Sequence, residues 1–334
     1  MPSTPRKTAP RVTGAVPLEP AARSKATTKI QAPVQLLLVT LISFSTSYIL
    51  FQSLVYPLTR GELSSVSKHS NDETDYLIFP ALRVAELAIG WLAGFDDYDM
   101  ASLAFQTRLP YYFLITTFYS ISQQTCLVAL LADVVSAALP FTLLRSRIPA
   151  HSSKAPRGSL ANRSIVQNFT LSILVTLFAA SVYGVILYVS YNSWLPVYLA
   201  ANFDGVRTFE VAHNSQLPAL VITFFPLGWT AKILLFAPST GAQPSPGDVK
   251  IEAFDPETAS LTEHLSFNVW GWKSGTKVMI KRTIVLAASV FFATWIKTWK
   301  TLEGSDKLGS AGWAALWALA SVLNGALLRW VGDV

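Results

Sequence analysis

Apolar residues along this chain are gathered into long continuous blocks, separated by short polar and charged segments. Such blocks differ from the narrow apolar stripe of a soluble helix and from the alternation of a half-buried strand. A helix needs roughly 20 mostly apolar residues to cross a bilayer. The blocks that meet this requirement are 34–56, 112–143, 165–191, 215–236, 282–300 and 311–330. The pattern predicts an all-α, polytopic membrane protein with about six transmembrane helices. Block 112–143 is overlong for a perpendicular helix and is expected to tilt or to extend beyond the bilayer.

A seventh apolar stretch, 76–95, carries Pro80, Arg83 and Glu86. Charged residues are costly inside a bilayer, so crossing is not assured for this stretch. Arg83 and Glu86 are three residues apart, which makes them neighbours on one face of a helix and able to pair. Such a pair suits a helix that is half buried in the membrane interface.

The charges between the blocks indicate an orientation. Residues 1–30 contain six Lys or Arg and one acidic residue, and residues 145–163 contain five basic residues and no acidic one. Basic segments stay on the cytosolic side of transmembrane helices. The two blocks between these segments already return the chain to that side. The stretch 76–95 is therefore expected to be a re-entrant or interfacial helix that does not cross.

The same reasoning predicts the domain organisation. Residues 1–32 are predicted to form a disordered basic tail, because they are rich in proline and have no apolar period. Residues 33–334 are predicted to form a single helical membrane domain with both termini in the cytosol. Within it, the expected cytosolic loops are 145–164 and 237–281, and the expected non-cytosolic segment is 57–110.

Composition narrows the class of protein further. The chain is 51% hydrophobic and 14% charged, against about 25% charged residues in a soluble protein. The net charge of +6 comes from basic residues that flank apolar blocks. They form no stripe that could follow nucleic acid, so no nucleic-acid partner is expected. Cys126 is the only cysteine, which excludes an intramolecular disulfide and a cysteine-rich zinc site.

An acidic cluster, Asp96, Asp97 and Asp99, follows the stretch 76–95. Hard divalent cations prefer several carboxylate oxygens, so the cluster is a candidate metal site. It lacks the spacing of a calcium-binding loop. Short acidic runs are usually solvated surface. We therefore interpret the cluster as a solvated edge and predict no bound metal or cofactor.

Asp133 lies about 16 Å of helix from the boundary at Arg145, near the expected middle of the bilayer. An ionisable residue at that depth is a functional candidate by default. Lys232, in the block 215–236, is the partner that its depth predicts. Asp133 has three interpretations: a structural ion pair, a protonated aspartate packed against its neighbours, or the centre of a carrier that also uses the helix break at Pro226.

The last apolar block has a regular row of small residues. Ala314, Ala318, Ser321 and Gly325 recur at helical spacing and share one stripe. Small residues in register let two helix backbones approach closely. The stripe is expected to pack within the bundle, or against a membrane-protein partner or a second copy of the chain.

The segments KSGTKVMIKR and LEGSDKLGSAGWAALWALASVLNGALLRWVGDV, in the C-terminal third, resemble polytopic membrane proteins of filamentous fungi. The resemblance implies a eukaryotic endomembrane location, such as the endoplasmic reticulum. It implies no functional residue.

Three functions remain open at this level. The chain contains no zinc-protease, serine-hydrolase or phosphate-loop motif, and its histidines are scattered over connecting segments. The preferred hypothesis is a non-enzymatic integral membrane protein that is a subunit or an assembly factor of an endomembrane complex. The alternatives are a small-solute or ion carrier that uses Asp133 and Lys232, and a lipid-modifying enzyme with a metal at Asp96, Asp97 and Asp99.

Overall fold

The computed structural model describes residues 32–68 and 73–332. The predicted basic tail lies outside this part of the chain, apart from Ala32, which begins the first helix. Within the described ranges the chain is helical, with no β-strand and two isolated β-bridges.

The helices that build the bundle, including the two seven-residue halves of one bent pair, are named in chain order. They are α1 Ala32–Leu50, α2 Glu73–Leu92, α3 Asp97–Phe118, α4 Gln123–Leu144, α5 Phe169–Tyr191, α6 Leu217–Thr223, α7 Phe225–Ala231, α8 Ser274–Thr301 and α9 Lys307–Gly332. Helices α1 and α7 continue through one π-helical turn each, Phe51–Val55 and Lys232–Phe236, into Tyr56–Thr59 and Ala237–Thr240. Shorter helices occupy Glu62–Val66, Pro149–His151, Arg163–Val166, Leu195–Asn202, Glu210–Asn214, Pro246–Glu252 and Leu261–Trp270.

Most of the long helices have the length and composition of membrane spans. Five stretches qualify alone: Pro33–Thr59, Gln123–Leu144, Phe169–Tyr191, Ser274–Thr301 and Lys307–Gly332. Helices α6 and α7, taken together to Thr240, bring the number to six. The prediction of an all-α chain with apolar helices of span length is confirmed.

The block 112–143 is not one tilted helix, contrary to the prediction. Helix α3 ends at Phe118 and α4 begins at Gln123. Between them Ser120 has a left-handed backbone with φ of 56°, which a helix cannot contain. Ser122 then accepts a hydrogen bond from the Thr125 N–H and caps the new helix. The apolar residues of the turn, Tyr119 and Ile121, are buried, whereas Ser120 and Ser122 are exposed.

The helices run between two ends of the bundle. At the first, the tail end, where α1 begins and α9 finishes, the Arg145 guanidinium donates to the carbonyls of Trp91 and Phe95 at 2.9 Å. At the second, the loop end, the Lys68 N–H donates to the Thr301 carbonyl at 2.8 Å. Helix α2 therefore starts near the loop end and finishes at the tail end, and α3 returns. Helix α2 thus runs along the bundle from end to end, which differs from the expected re-entrant or interfacial helix. That segment 57–110 is non-cytosolic stays a prediction.

Helix α3 lies at the centre, where Leu103, Ile115 and Phe118 are fully buried. Its polar residues bond inside the bundle: Tyr183 donates to Gln106 at 2.9 Å, and Gln106 donates to the Leu227 carbonyl at 3.1 Å. This enclosure explains how a helix with several charged residues passes through an apolar bundle.

Helices α6 and α7 meet at a 55° bend, with Pro226 in the first turn of α7. Proline lacks the N–H that would continue the helix ladder. Gly228 then lies against α5, where a Cβ would come within 2.3 Å of the Thr176 carbonyl oxygen. The break is therefore a packed kink, held by close contact of two backbones.

Candidate functional site

Five ionisable side chains meet halfway along the bundle and form what we name the mid-bundle network. Its members are Arg83 of α2, Glu86 of α2, Arg108 of α3, Asp133 of α4 and Lys297 of α8. Arg83, Arg108 and Asp133 lie near the midpoints of helices of 20, 22 and 22 residues. Each is about 15 Å of helix from either end. The network therefore joins four helices, near the midpoints of three of them and one turn from the end of α8.

Glu86 is the acceptor for both arginines. Arg108 donates both terminal nitrogens to its carboxylate, at 3.2 and 2.5 Å, and Arg83 Nη1 lies 3.6 Å from Oε2. The Arg83–Glu86 contact is the one that their spacing predicted. Bidentate guanidinium–carboxylate geometry is the strongest form of ion pair. It ties α2 to α3.

Asp133 pairs with a residue that differs from the predicted one. Its Oδ2 accepts from Lys297 Nζ at 3.2 Å and from the Tyr112 hydroxyl at 2.9 Å. Lys232 instead donates to the Ser172 hydroxyl at 2.6 Å and lies 3.6 Å from the Trp229 ring centre. The predicted Asp133–Lys232 pair is wrong because the two side chains belong to different interhelical contacts. The carrier hypothesis loses that pair as its centre.

Arg83 also reaches the neighbouring helices with its remaining donors. Nε donates to the Ser43 hydroxyl of α1 at 3.1 Å, and Nη2 donates to the Ser136 hydroxyl of α4 at 2.7 Å. Arg83 therefore holds α1 and α4 against α2. Sequence reasoning found Arg83, Glu86 and Asp133 but missed Arg108 and Lys297. Arg108 lies near the middle of α3, in the segment 57–110 that the sequence predicts to be non-cytosolic.

A groove of about 740 Å³ adjoins the network. It lies between α2 and α8, and Arg83, Glu86, Arg108, Asp133 and Lys297 line one part of it. Its remaining walls are mostly apolar. The volume falls within the roughly 300–1,000 Å³ typical of ligand pockets.

A second set of charged side chains, which we name the tail-end cluster, surrounds the acidic run. Asp97 accepts from Arg147 at 2.9 Å, Asp99 accepts from Arg282 at 2.5 and 2.9 Å, and Asp96 accepts from His151 at 2.9 Å. Asp96 also caps α3 by accepting from the Asp99 N–H at 2.9 Å.

The interpretation of this run as a solvated edge is wrong. Asp96 and Asp99 are fully buried, and Asp97 is 7% exposed. Basic side chains from the 145–151 segment and from α8 cover them, and those segments are distant in sequence. The three carboxylates therefore fasten the start of α3 to two other parts of the tail end.

Two groups of the tail-end cluster have shifted pKa values. Burial opposes ionisation of Asp96, but the hydrogen bond and charge of His151, with two backbone N–H donors, lower the pKa of Asp96 below its ordinary value. Burial lowers the pKa of His151, but its bond to Asp96 and the charges of Asp99 and Asp96 outweigh the burial and raise it. The other ring nitrogen, Nε2, lies 3.1 Å from the Ile233 carbonyl oxygen. Both nitrogens face acceptors, which favours the charged ring.

Asp96, Asp99 and His151 offer ligand atoms within 4.8 Å of one another, so we tested whether they fit a metal. Both Asp99 oxygens accept from Arg282. Both Asp96 oxygens lie within 3.0 Å of His151 Nδ1, and Oδ2 also accepts from the Ile148 N–H. A cation would have to displace the Arg282 guanidinium from Asp99 and break the hydrogen bond between His151 and Asp96. The donor set fits ion pairing and does not fit a metal.

The small-residue stripe of α9 is used inside the chain. Ala314 is fully buried, Ser321 is 1% exposed and Ala318 is half-buried. At Gly325 an added Cβ would lie 2.2 Å from the Thr283 hydroxyl of α8. The stripe therefore brings α9 close to α8, and Gly325 lies at this contact.

Comparison with known proteins gives one match. Residues 168–331 match the family model of the bouquet formation protein 3 C-terminal domain, a fungal-type family. The match begins just before α5 and includes Lys297 and the α9 stripe, and it leaves out Asp96, Asp133 and α2. Searches of curated proteins and of solved structures found no match. The resemblance of the C-terminal part to fungal proteins is supported in this coarse form.

Proposed function

We propose that this protein is a non-enzymatic integral membrane protein that acts as a subunit or assembly scaffold of an endomembrane complex. Its helix bundle crosses the bilayer, with the tail end in the cytosol. The basic residues of segment 145–163 and of Lys273, Lys277 and Lys281 belong to the tail end, which is the orientation that basic loops favour.

The observation that carries the proposal is how the acidic side chains are used. Five carboxylates, from Glu86 to Asp133, each pair with a cation, and the partner in every pair comes from a different helix or loop. A catalytic carboxylate needs a reactive face turned towards its substrate. Carboxylates already committed to Arg, Lys or His partners serve to hold helices in place.

The family match adds independent support. Bouquet formation names the building of an arrangement, not a chemical conversion, and this fits a membrane-associated scaffold. The same match is to a fungal-type family, which agrees with the fungal resemblance of the C-terminal part.

The proposal is tested by purifying the full chain with a C-terminal tag from its native membranes in a mild detergent. We expect a complex of fixed stoichiometry with at least one other membrane protein, measured by quantitative mass spectrometry and by native mass. A tagged, unrelated protein with a similar number of spans is the control for non-specific capture. Recovery of the chain as a lone monomer under conditions that preserve known membrane complexes would contradict the proposal.

The carrier hypothesis keeps one favourable observation, the groove beside the mid-bundle network. Transport would require the Asp133–Lys297 pair to open and close during each cycle. Uptake by proteoliposomes that Lys297→Met abolishes, while Lys232→Met does not, would favour a carrier over a scaffold.

A further inference from the structure

The groove between α2 and α8 has a mouth that points sideways out of the bundle. Four apolar side chains on its rim are exposed at the bundle surface, namely Phe44, Ile89, Ile284 and Phe292. A mouth of this kind on a bundle in a bilayer opens towards the lipid tails. A ligand would therefore enter from the membrane.

The groove is long and narrow, with two chemically different parts. Along α8 its lining runs from Ile284 to Lys297, about 20 Å of helix. The part near Ile284 is lined by apolar or small side chains, which include Val285 and Ala288. The part near Lys297 contains the mid-bundle network. This division matches an elongated molecule with an apolar chain and one polar head.

The charge of the network determines the sign of that head. It contains three cations, Arg83, Arg108 and Lys297, and two carboxylates, Glu86 and Asp133. Both carboxylates are already paired, so one positive charge is in excess. An excess buried charge is costly unless an opposite charge accompanies it. A singly charged anion in the groove would make the site neutral.

We propose that this groove binds a single-chain anionic lipid of the fatty-acid class. The carboxylate lies against Arg83 and Lys297, and the acyl chain runs along α8 towards Ile284 and the tail end. The inference rests on the membrane location proposed above and not on the assembly role.

The test uses the full chain in nanodiscs of phosphatidylcholine and a photoactivatable oleate analogue. We expect saturable labelling of peptides from α2 and α8. Unlabelled oleate should compete at least tenfold better than oleyl alcohol, which has the same chain without the charge. Labelling without saturation, or equal competition by the alcohol, would overturn the proposal. Stronger competition by oleyl phosphate than by oleate would support an anionic lipid site and assign a phosphate head to it.

Two matched pairs of variants localise the site. Ala85 and Ala81 are both exposed on α2, one turn apart, and only Ala85 lines the groove. Ala85→Trp should reduce labelling at least tenfold, and Ala81→Trp should retain it. Arg83→Gln should remove the preference for oleate over the alcohol, and Arg83→Lys should keep it.

If Arg83→Gln does not fold, the tryptophan pair still decides, because both positions are exposed on the bundle surface. Equal labelling of both tryptophan variants would overturn the location. A native chain that runs as a dimer, and that Ala85→Trp converts to a monomer, would mean that a second copy fills the groove and not a lipid. A failed pull-down with intact labelling would refute the scaffold alone.

Discussion

Replacing Asp133 by leucine should destabilise the bundle strongly, because it leaves Lys297 without its acidic partner. The Nζ–Oδ2 distance is 3.2 Å, and the side chains are 22% and 15% exposed. Two unit charges at that distance attract by about 5 kcal/mol at an effective dielectric constant of about 20. Measured losses for breaking one side of a buried pair are about 3–5 kcal/mol. We expect Asp133→Leu to lower the free energy of unfolding by that amount.

The double-mutant cycle identifies the partner. Lys297→Met removes the cation, so the double variant Asp133→Leu/Lys297→Met leaves no orphan charge at this contact. We expect the double variant to be at least about 2 kcal/mol more stable than the sum of the two single losses, within the range of measured coupling energies. Lys232→Met, whose lysine bonds to Ser172, should add to Asp133→Leu within about 0.5 kcal/mol.

The assay is unfolding in mixed micelles of a mild detergent and dodecyl sulfate, followed by tryptophan fluorescence. The ten tryptophans give a strong signal without a label. Additive losses for Asp133 and Lys297 would refute the ion pair. Coupling of Asp133 to Lys232 would restore the partner that the sequence predicted.

Three further outcomes follow from the same contacts. Gly325→Leu should cost about 1–3 kcal/mol of stability because its side chain collides with α8. Leu327→Ala, at a position that is 38% exposed, should cost less, and equal losses in the unfolding assay would refute the close contact. The raised pKa of His151 stabilises the fold below its unfolded-state pKa of about 6.5, and this contribution disappears as pH rises through the folded-state value. Stability should therefore fall as the pH rises above about 6.5, and His151→Gln should flatten this dependence; an unchanged slope would refute the charged ring. In sealed microsomes an impermeant maleimide should label Lys154→Cys directly and Glu210→Cys only after permeabilisation, and the reverse pattern would contradict a cytosolic tail end.

The helical class and the apolar helices of span length could be predicted from the amino-acid sequence. Blocks such as 165–191 and 311–330 show these features directly, because suitability for a bilayer depends on the length and composition of one segment alone. The Arg83–Glu86 contact and the close packing at Gly325 could also be predicted, since both follow from the spacing of residues along one helix.

The positions and partners of the charged residues depend instead on how the helices pack. Helix α2 passes along the bundle with Arg83 and Glu86 because both find partners on other helices. Arg108, 22 residues from Glu86 in sequence, pairs with Glu86, and Arg83 donates to Ser136. Asp97 and Asp99 are buried because Arg147 and Arg282 cover them from segments 50 and 183 residues away. The energy of an ionisable group depends on which opposite charge lies within a few ångströms, and helix packing sets that distance. For the same reason depth along a helix could not distinguish Lys232 from Lys297 as the partner of Asp133.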